Sequence, residues 1–138
     1  MSDTPRLDAD ALRASGLPVT YFAADERIFS YGDDGDTMFV VLTGRVKLVH
    51  YGAVLENVEP GGLFGEMSLI DAAPRSATAI AVEPAEVTLI DRTVFRRLVK
   101  QDPDFALAVM RGLADRLRRM NENMCSDTGH PDMARQPA

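Results

Sequence analysis

The spacing of apolar residues changes along this chain and separates a β-rich centre from two helical ends. Residues 7–15 carry apolar side chains at helical spacing before Gly16 and Pro18, which predicts a short N-terminal helix. From residue 19 to residue 91, short β-rich runs alternate with turn-forming residues. The predicted strands are 19–22, 27–30, 38–43, 46–51, 54–58, 77–82 and 85–90. Many short strands at near-regular spacing indicate an antiparallel β-roll or jelly-roll barrel, so the predicted fold class is mainly β with flanking helices.

Two helices are predicted to close the chain. The first covers residues 93–101 and ends at Asp102 and Pro103, and the second runs from residue 103 to about residue 124. A proline at the first helical position suits the start of the long helix. Residues 126–138 contain turn formers, two prolines and little apolar content. We therefore predict one domain over residues 1–125 and a disordered tail over residues 126–138.

The long helix has more apolar surface than one packing face requires. Residues at spacings of three and four form a stripe of Phe105, Val109, Leu113, Leu117, Met120 and Met124, and a second row of Leu107, Met110, Ala114 and Leu117. The surplus favours a homodimer through residues 103–124, in which the helix meets the same helix of a second subunit. A single wide face packed on the chain's own barrel would give the same pattern. Gly112 lowers helix propensity but would allow another helix to approach closely.

One segment, residues 64–78, interrupts the β-rich centre and carries the groups needed to hold a sugar phosphate. Arg75 offers five donors in a planar fork, which suits two oxygens of one phosphate. The ionised side chain of Glu66 only accepts hydrogen bonds, which suits a sugar hydroxyl and repels the phosphate. Gly65 lets the backbone approach a ligand closely. Residues 67–70 are predicted to form one helical turn whose free N–H groups favour an anion.

This segment resembles the phosphate-binding cassette of the cyclic-nucleotide-binding domain, a family that includes catabolite activator proteins, cyclic-nucleotide-dependent kinases and gated channels. The resemblance rests on Phe-Gly-Glu at residues 64–66 and Pro-Arg-Ser at residues 74–76, and extends over about residues 17–124. It implies that Glu66 holds the ribose 2′-hydroxyl, that Arg75 pairs with the cyclic phosphate and that Ser76 adds a phosphate contact. Further ligand contacts are expected from Gly65, Leu63, Phe64 and Ala77, although core packing is an equal account of Phe64.

The resemblance also places the long helix, or that of a dimer partner, over the nucleobase. Counting from the helix start, the base-facing positions fall at Met120 and Asn121. An asparagine can pair with the N6 and N7 atoms of adenine. An exposed polar residue at this helix position is the simpler account of Asn121.

Composition limits the partners and the location. The 138 residues carry a net charge of −6, which argues against a broad nucleic-acid-binding surface and against attraction to anionic membranes. The single cysteine, Cys125, excludes a disulfide within the chain. No run approaches the ~20 apolar residues of a membrane span, and the first residues lack the form of a signal peptide. The cytoplasm is the expected location, without membrane attachment.

Neither a metal site nor a catalytic centre is predicted. The loop with Asp33, Asp34 and Asp36 lacks the spaced ligands of a calcium-binding EF-hand, and a turn between strands explains it better. His50 is the one histidine in the β-rich part, so the paired histidines of a metal-binding cupin are missing. No nucleophile has a base in a supporting motif. We expect a protein that is not an enzyme and has no cofactor.

The leading hypothesis is a stand-alone sensor that binds a cyclic nucleotide and signals by repositioning its C-terminal helix. The ligand would be cAMP, or alternatively cGMP, which shares the phosphate and ribose contacts. One alternative is a ligand-free dimerisation or protein-interaction module of the same fold. Another is a regulator that acts on DNA through a partner. The resembling transcription factors place a winged helix-turn-helix after the long helix, and only 14 residues follow Met124, so direct DNA binding is not expected. The downstream partner is not encoded in any motif.

Overall fold

The computed structural model describes residues 9–128, and for residue 120 and residues 122–128 only the backbone. Its elements, in chain order, are α1 (Ala9–Ala14), β1 (Val19–Phe22), β2 (Arg27–Phe29), β3 (Met38–Thr43), β4 (Val46–His50), β5 (Ala53–Val58), β6 (Leu63–Phe64), α2 (Glu66–Asp71), β7 (Thr78–Ala81), β8 (Ala85–Ile90), α3 (Arg92–Gln101) and α4 (Pro103–Thr128). The fold is mainly β with flanking helices, as predicted.

The strands form two four-stranded antiparallel sheets. The strand order is β1-β8-β3-β6 in the first sheet and β2-β7-β4-β5 in the second. Apolar side chains of both sheets meet in one core, which includes Val41 and Val87 from the first sheet and Val46 and Ala79 from the second. This core fixes the second sheet and its cassette loops against the first.

Strand β3 is buried on both faces because its side chains alternate between two cores. Phe39 and Val41 point between the sheets. Met38, Val40 and Leu42 point to the opposite face, where they pack with helical residues. Phe105 and Val109 of α4 belong to this second core, so the start of the long helix is anchored on the first sheet.

Several predicted boundaries need correction. Strand β6 was missed because it has only two residues, paired as Phe39 with Phe64 and Val40 with Leu63, and two residues show no alternation. The predicted helical turn at 67–70 lies within a six-residue helix. The predicted strand 46–51 ends at His50, because Tyr51 and Gly52 both take positive φ in the following turn.

Helix α4 continues to Thr128, beyond the predicted end near residue 124. The first strong helix breaker after residue 124 is Gly129, which accounts for the longer helix. The predicted disordered tail is therefore wrong for residues 126–128. Residues 129–138 lie outside the described residues, and the tail there stays a prediction.

Candidate functional site

Gly65 connects β6 to α2 in a conformation that favours glycine. Its φ is 77°, in the left-handed region. A Cβ atom at this position would lie 2.8 Å from Nη1 of Arg75 and 3.1 Å from the ring of Phe39. The position therefore needs glycine for its backbone and for the close approach of the Arg75 side chain.

The side chain of Arg75 is 6% exposed and is held by backbone groups. Its Nη1 donates to the carbonyl oxygens of Thr37 and Gly65, both at 2.9 Å. Its guanidinium carbon lies 4.3 Å from the ring centroid of Phe29. The backbone of Arg75 exchanges two 2.8 Å hydrogen bonds with residues 32 and 33. These contacts fix the position of the positively charged Arg75 guanidinium within the segment 64–78.

Within residues 9–128, no carboxylate forms a salt bridge with Arg75. Burial lowers the pKa of Arg75, and the more distant charges of Asp36, Asp33 and Glu66 oppose that effect. An arginine stays protonated in proteins, so the site carries a buried positive charge with spare capacity for an anion.

Glu66 begins α2 and is 3% exposed, and its carboxylate is paired with an arginine from the long helix. Nη1 of Arg116 donates to both carboxylate oxygens, at 2.8 and 2.7 Å. Since an ionised carboxylate has about four acceptor sites, this pairing leaves capacity for a hydroxyl donor. The expected sugar-binding group is thus also the group that α4 contacts.

Arg116 joins four elements. Besides Glu66, it donates from Nε to Oε1 of Glu56 at 2.5 Å and from Nη2 to the carbonyl oxygen of Leu63 at 2.6 Å. Burial alone would lower the pKa of Arg116, but the charges of and hydrogen bonds to Glu66 and Glu56 outweigh it and raise the pKa. Glu56 also accepts from Arg119 at 2.9 Å. This network ties α4 to α2, β5 and β6.

A cavity of about 460 Å³ lies between the cassette, the second sheet and α4. Pockets of roughly 300–1,000 Å³ are typical of small-molecule sites. Five of the predicted contact residues line it together, namely Gly65, Glu66, Arg75, Ser76 and Ala77. Its apolar walls include Phe29, Leu48, Leu55, Leu113 and Leu117. The arrangement combines charged groups and apolar walls in one cavity.

Three of the other predicted contacts, Phe64, Leu63 and Asn121, fall outside this lining. Phe64 is fully buried between the sheets and stacks on Phe39 with centroids 5.0 Å apart, so packing accounts for it. Leu63 lines a neighbouring cavity of about 360 Å³. Asn121 is exposed on α4 and lies outside the lining of either cavity, and the side chain of Met120 lies outside the described residues. Their roles toward a nucleobase stay predictions.

Sequence reasoning missed Arg116, the residue with the most extensive contacts at the site. Leu113 follows Val109 by four positions and Arg116 follows Leu113 by three, so helical spacing places Arg116 on the inward face. Three arginines stand within residues 116–119, and the helical spacing was the signal that separates the inward one from the exposed ones.

Gly112 also faces inward, and its structural role differs from the one considered. A Cβ atom there would lie 3.6 Å from Leu63, an ordinary contact distance. Its neighbour is therefore the chain's own barrel rather than a second helix. The hydroxyl of Thr78, the last residue of the segment 64–78, accepts a hydrogen bond from the backbone N–H of Tyr31 at 2.9 Å.

No group of three or more His, Cys, Asp and Glu side chains within residues 9–128 is arranged to hold a metal ion. None of the helices in that range combines the length and the apolar character needed to cross a membrane.

Among known protein families, the model of the cyclic nucleotide-binding domain matches residues 19–102 of this chain. The cyclic AMP receptor protein of Thermus thermophilus is 41% identical over 128 residues, covering 86% of this chain and 59% of that protein. A CRP-like cAMP-activated global transcriptional regulator of Mycobacterium tuberculosis is 29% identical over 108 residues, covering 75% and 48%. The solved Thermus thermophilus catabolite activator protein superposes with a TM-score of 0.72 at 34% identity, covering 84% of this chain and 57% of that chain. The chain thus spans about half the length of these curated relatives.

Proposed function

The chain belongs to the cyclic nucleotide-binding domain family, and we propose that it is a sensor module whose ligand is cAMP. One observation carries the proposal: a buried guanidinium, Arg75, and a buried carboxylate, Glu66, line the same cavity of about 460 Å³. A sugar phosphate needs a cation for its phosphate and an acceptor for its hydroxyl. The names of the Thermus and Mycobacterium relatives identify cAMP as the ligand of those proteins.

Arg75 would hold the cyclic phosphate. Two of its five N–H donors are used by the carbonyl groups of Thr37 and Gly65, which fix the guanidinium in place. The remaining donors, on Nε and Nη2, have no acceptor recorded among the described residues and can serve two phosphate oxygens. Ser76 is exposed at the cavity lining, where its hydroxyl would add a further contact to the phosphate.

Glu66 would accept a hydrogen bond from the ribose 2′-hydroxyl, using the lone pairs that Arg116 leaves free. The purine would lie toward the apolar walls, where Leu55, Leu113 and Leu117 can contact its faces. The phosphate and ribose contacts do not separate cAMP from cGMP, so cGMP is the second ligand to test.

Ligand binding would change the position of α4 through Arg116. In this structure the helix contacts the cassette through the same carboxylate that the ribose would reach. A ligand that binds one position of the helix more tightly than another shifts the population toward it. The proposed signal is therefore a change in how α4 packs on the cassette, produced by binding alone and without catalysis.

The function is tested by thermal unfolding of the whole chain with cAMP, cGMP or 5′-AMP. A ligand that binds only the folded state stabilises it by about 2.7 kcal/mol when the ligand concentration is a hundred times its Kd, and Tm rises accordingly. We expect Tm to rise with a cyclic nucleotide and to change much less with 5′-AMP. An unchanged Tm with both cyclic nucleotides would reject the sensor in favour of the ligand-free interaction module.

We also propose a homodimer through α4, because one row of its apolar side chains is left exposed. The exposed fractions are 43% for Leu107, 56% for Met110 and 61% for Leu117. Leu117 lines the cavity as well, so a second helix on this row would cover the part of the cavity that Leu117 lines. Sedimentation should show a dimer that Met110→Glu dissociates, while Gln101→Glu, an equal charge change on exposed α3, leaves it intact. A monomeric wild type would refute the proposal.

A further inference from the structure

Ser68 is a buried polar residue of the cassette whose hydroxyl has no partner among the described residues. It lies on α2, two residues after Glu66, and is 1% exposed. Its Oγ atom has no hydrogen-bond partner in the part of the chain that the structure describes. Buried hydroxyl groups are nearly always hydrogen-bonded, because an unmade bond leaves their desolvation uncompensated. Such a group calls for an explanation in the structure or in its ligand.

The usual partner for a helical serine is absent. A serine hydroxyl within a helix can donate to the carbonyl oxygen of the residue four positions earlier. Here that residue is Phe64, which belongs to β6 and precedes the helix. No such bond forms. By contrast Thr88, another fully buried hydroxyl residue, donates to the carbonyl oxygen of Pro18 at 2.7 Å.

The position of Ser68 points to the ligand. Ser68 lines the cavity together with Glu66, Arg75 and Ser76, the groups assigned to ribose and phosphate. Ser68 and Glu66 lie on the same short helix, and both line this cavity. A hydroxyl can donate to a phosphate oxygen or accept from a sugar hydroxyl.

We propose that the Ser68 hydroxyl is a further ligand contact, made to the sugar–phosphate part of the cyclic nucleotide. The inference rests on the proposed function, since it requires a ligand with that chemistry in the cavity. It assigns to Ser68 a hydrogen bond that forms on binding and is absent without ligand. The contact favours the bound state without supporting the unliganded fold.

The test compares Ser68→Ala with wild type in two measurements, calorimetric affinity for cAMP and Tm without ligand. We expect the affinity to fall roughly threefold to tenfold, as for the loss of one hydrogen bond. We expect Tm without ligand to stay the same or rise, because the variant removes an unpaired buried hydroxyl. Thr88→Val is the matched control: it removes a buried hydroxyl that has a protein partner, so Tm should fall while the affinity holds.

The outcomes separate this inference from the proposed function. Loss of affinity in Ser68→Ala, with Tm maintained, supports the contact. A repeat with 2′-deoxy-cAMP then identifies the atom: a persisting loss indicates a phosphate oxygen, and a vanishing loss the ribose hydroxyl. Equal affinity of wild type and Ser68→Ala overturns the inference and leaves the proposed function intact. A lower Tm without ligand also overturns it, since the hydroxyl would then serve the fold. A wild type that binds no cyclic nucleotide overturns both.

Discussion

Replacing Arg116 by methionine tests whether the long helix is held by its ion pair with the cassette. The substitution keeps an unbranched side chain of good helix propensity and removes the charge. Glu56 would retain Arg119 at 2.9 Å as a partner. Glu66 would lose the one cation paired with it among the described residues, while its side chain stays 4% exposed.

The expected loss of stability follows from that asymmetry. Removing one partner of a buried ion pair costs about 3–5 kcal/mol, because the other charge stays buried and uncompensated. The side chain of Arg116 is 17% exposed, so water can partly replace it, and we expect about 3 kcal/mol. For a domain of this size that corresponds to a Tm lower by roughly 10 °C.

The assay is thermal unfolding without ligand, with Arg118→Met as the matched control. Arg118 lies two positions further along the same helix, its side chain is 63% exposed, and its recorded partner is Asp115, on the same helix. Its replacement should leave Tm nearly unchanged. Adding Glu66→Gln to Arg116→Met should recover much of the lost stability, because the uncompensated charge is gone. If Arg116→Met has the same Tm as the Arg118→Met control, the buried ion pair does not hold the helix.

Two further predictions concern the loop around Arg75 and the N-terminal helix. A Cβ atom at Gly35 would lie 2.5 Å from the guanidinium, so Gly35→Ala should push that group off the carbonyl oxygens that hold it, lowering cAMP affinity about tenfold in calorimetry and lowering Tm as well. Unchanged affinity would contradict this. The hydrogen bond from Arg13 lowers the pKa of Glu86, so this pair stabilises the fold above the ordinary glutamate pKa and stops doing so as pH falls through the lowered one. The Tm difference between wild type and Glu86→Gln should therefore shrink below about pH 4, and a constant difference would count against the pairing.

The parts of the structure that depend on local pattern could be predicted from the sequence. Strand β3, with its continuous apolar run, appears at the predicted residues 38–43. Glu66 and Arg75 could be grouped because they lie only nine positions apart in one short segment. Both predictions needed only neighbouring residues.

What could not be predicted depends on pairings across the chain. Arg116 contacts Glu66, which lies fifty positions earlier in the chain. Only helical phase distinguishes Arg116 from its neighbours Arg118 and Arg119. The unpartnered state of Ser68 depends on every group around it. Strand β6 is defined entirely by its partner β3. Such features arise when distant segments pack together.

The most direct test of the central claim is a calorimetric titration of Arg75→Ala with cAMP, beside wild type and Arg97→Ala. Arg97 is exposed on α3, so its loss should leave the affinity unchanged. A charge-assisted hydrogen bond is worth about 1.5–3 kcal/mol, so Arg75→Ala should bind roughly 10- to 150-fold more weakly. Equal affinities for all three proteins would show that the cavity at Arg75 is not the cyclic-nucleotide site.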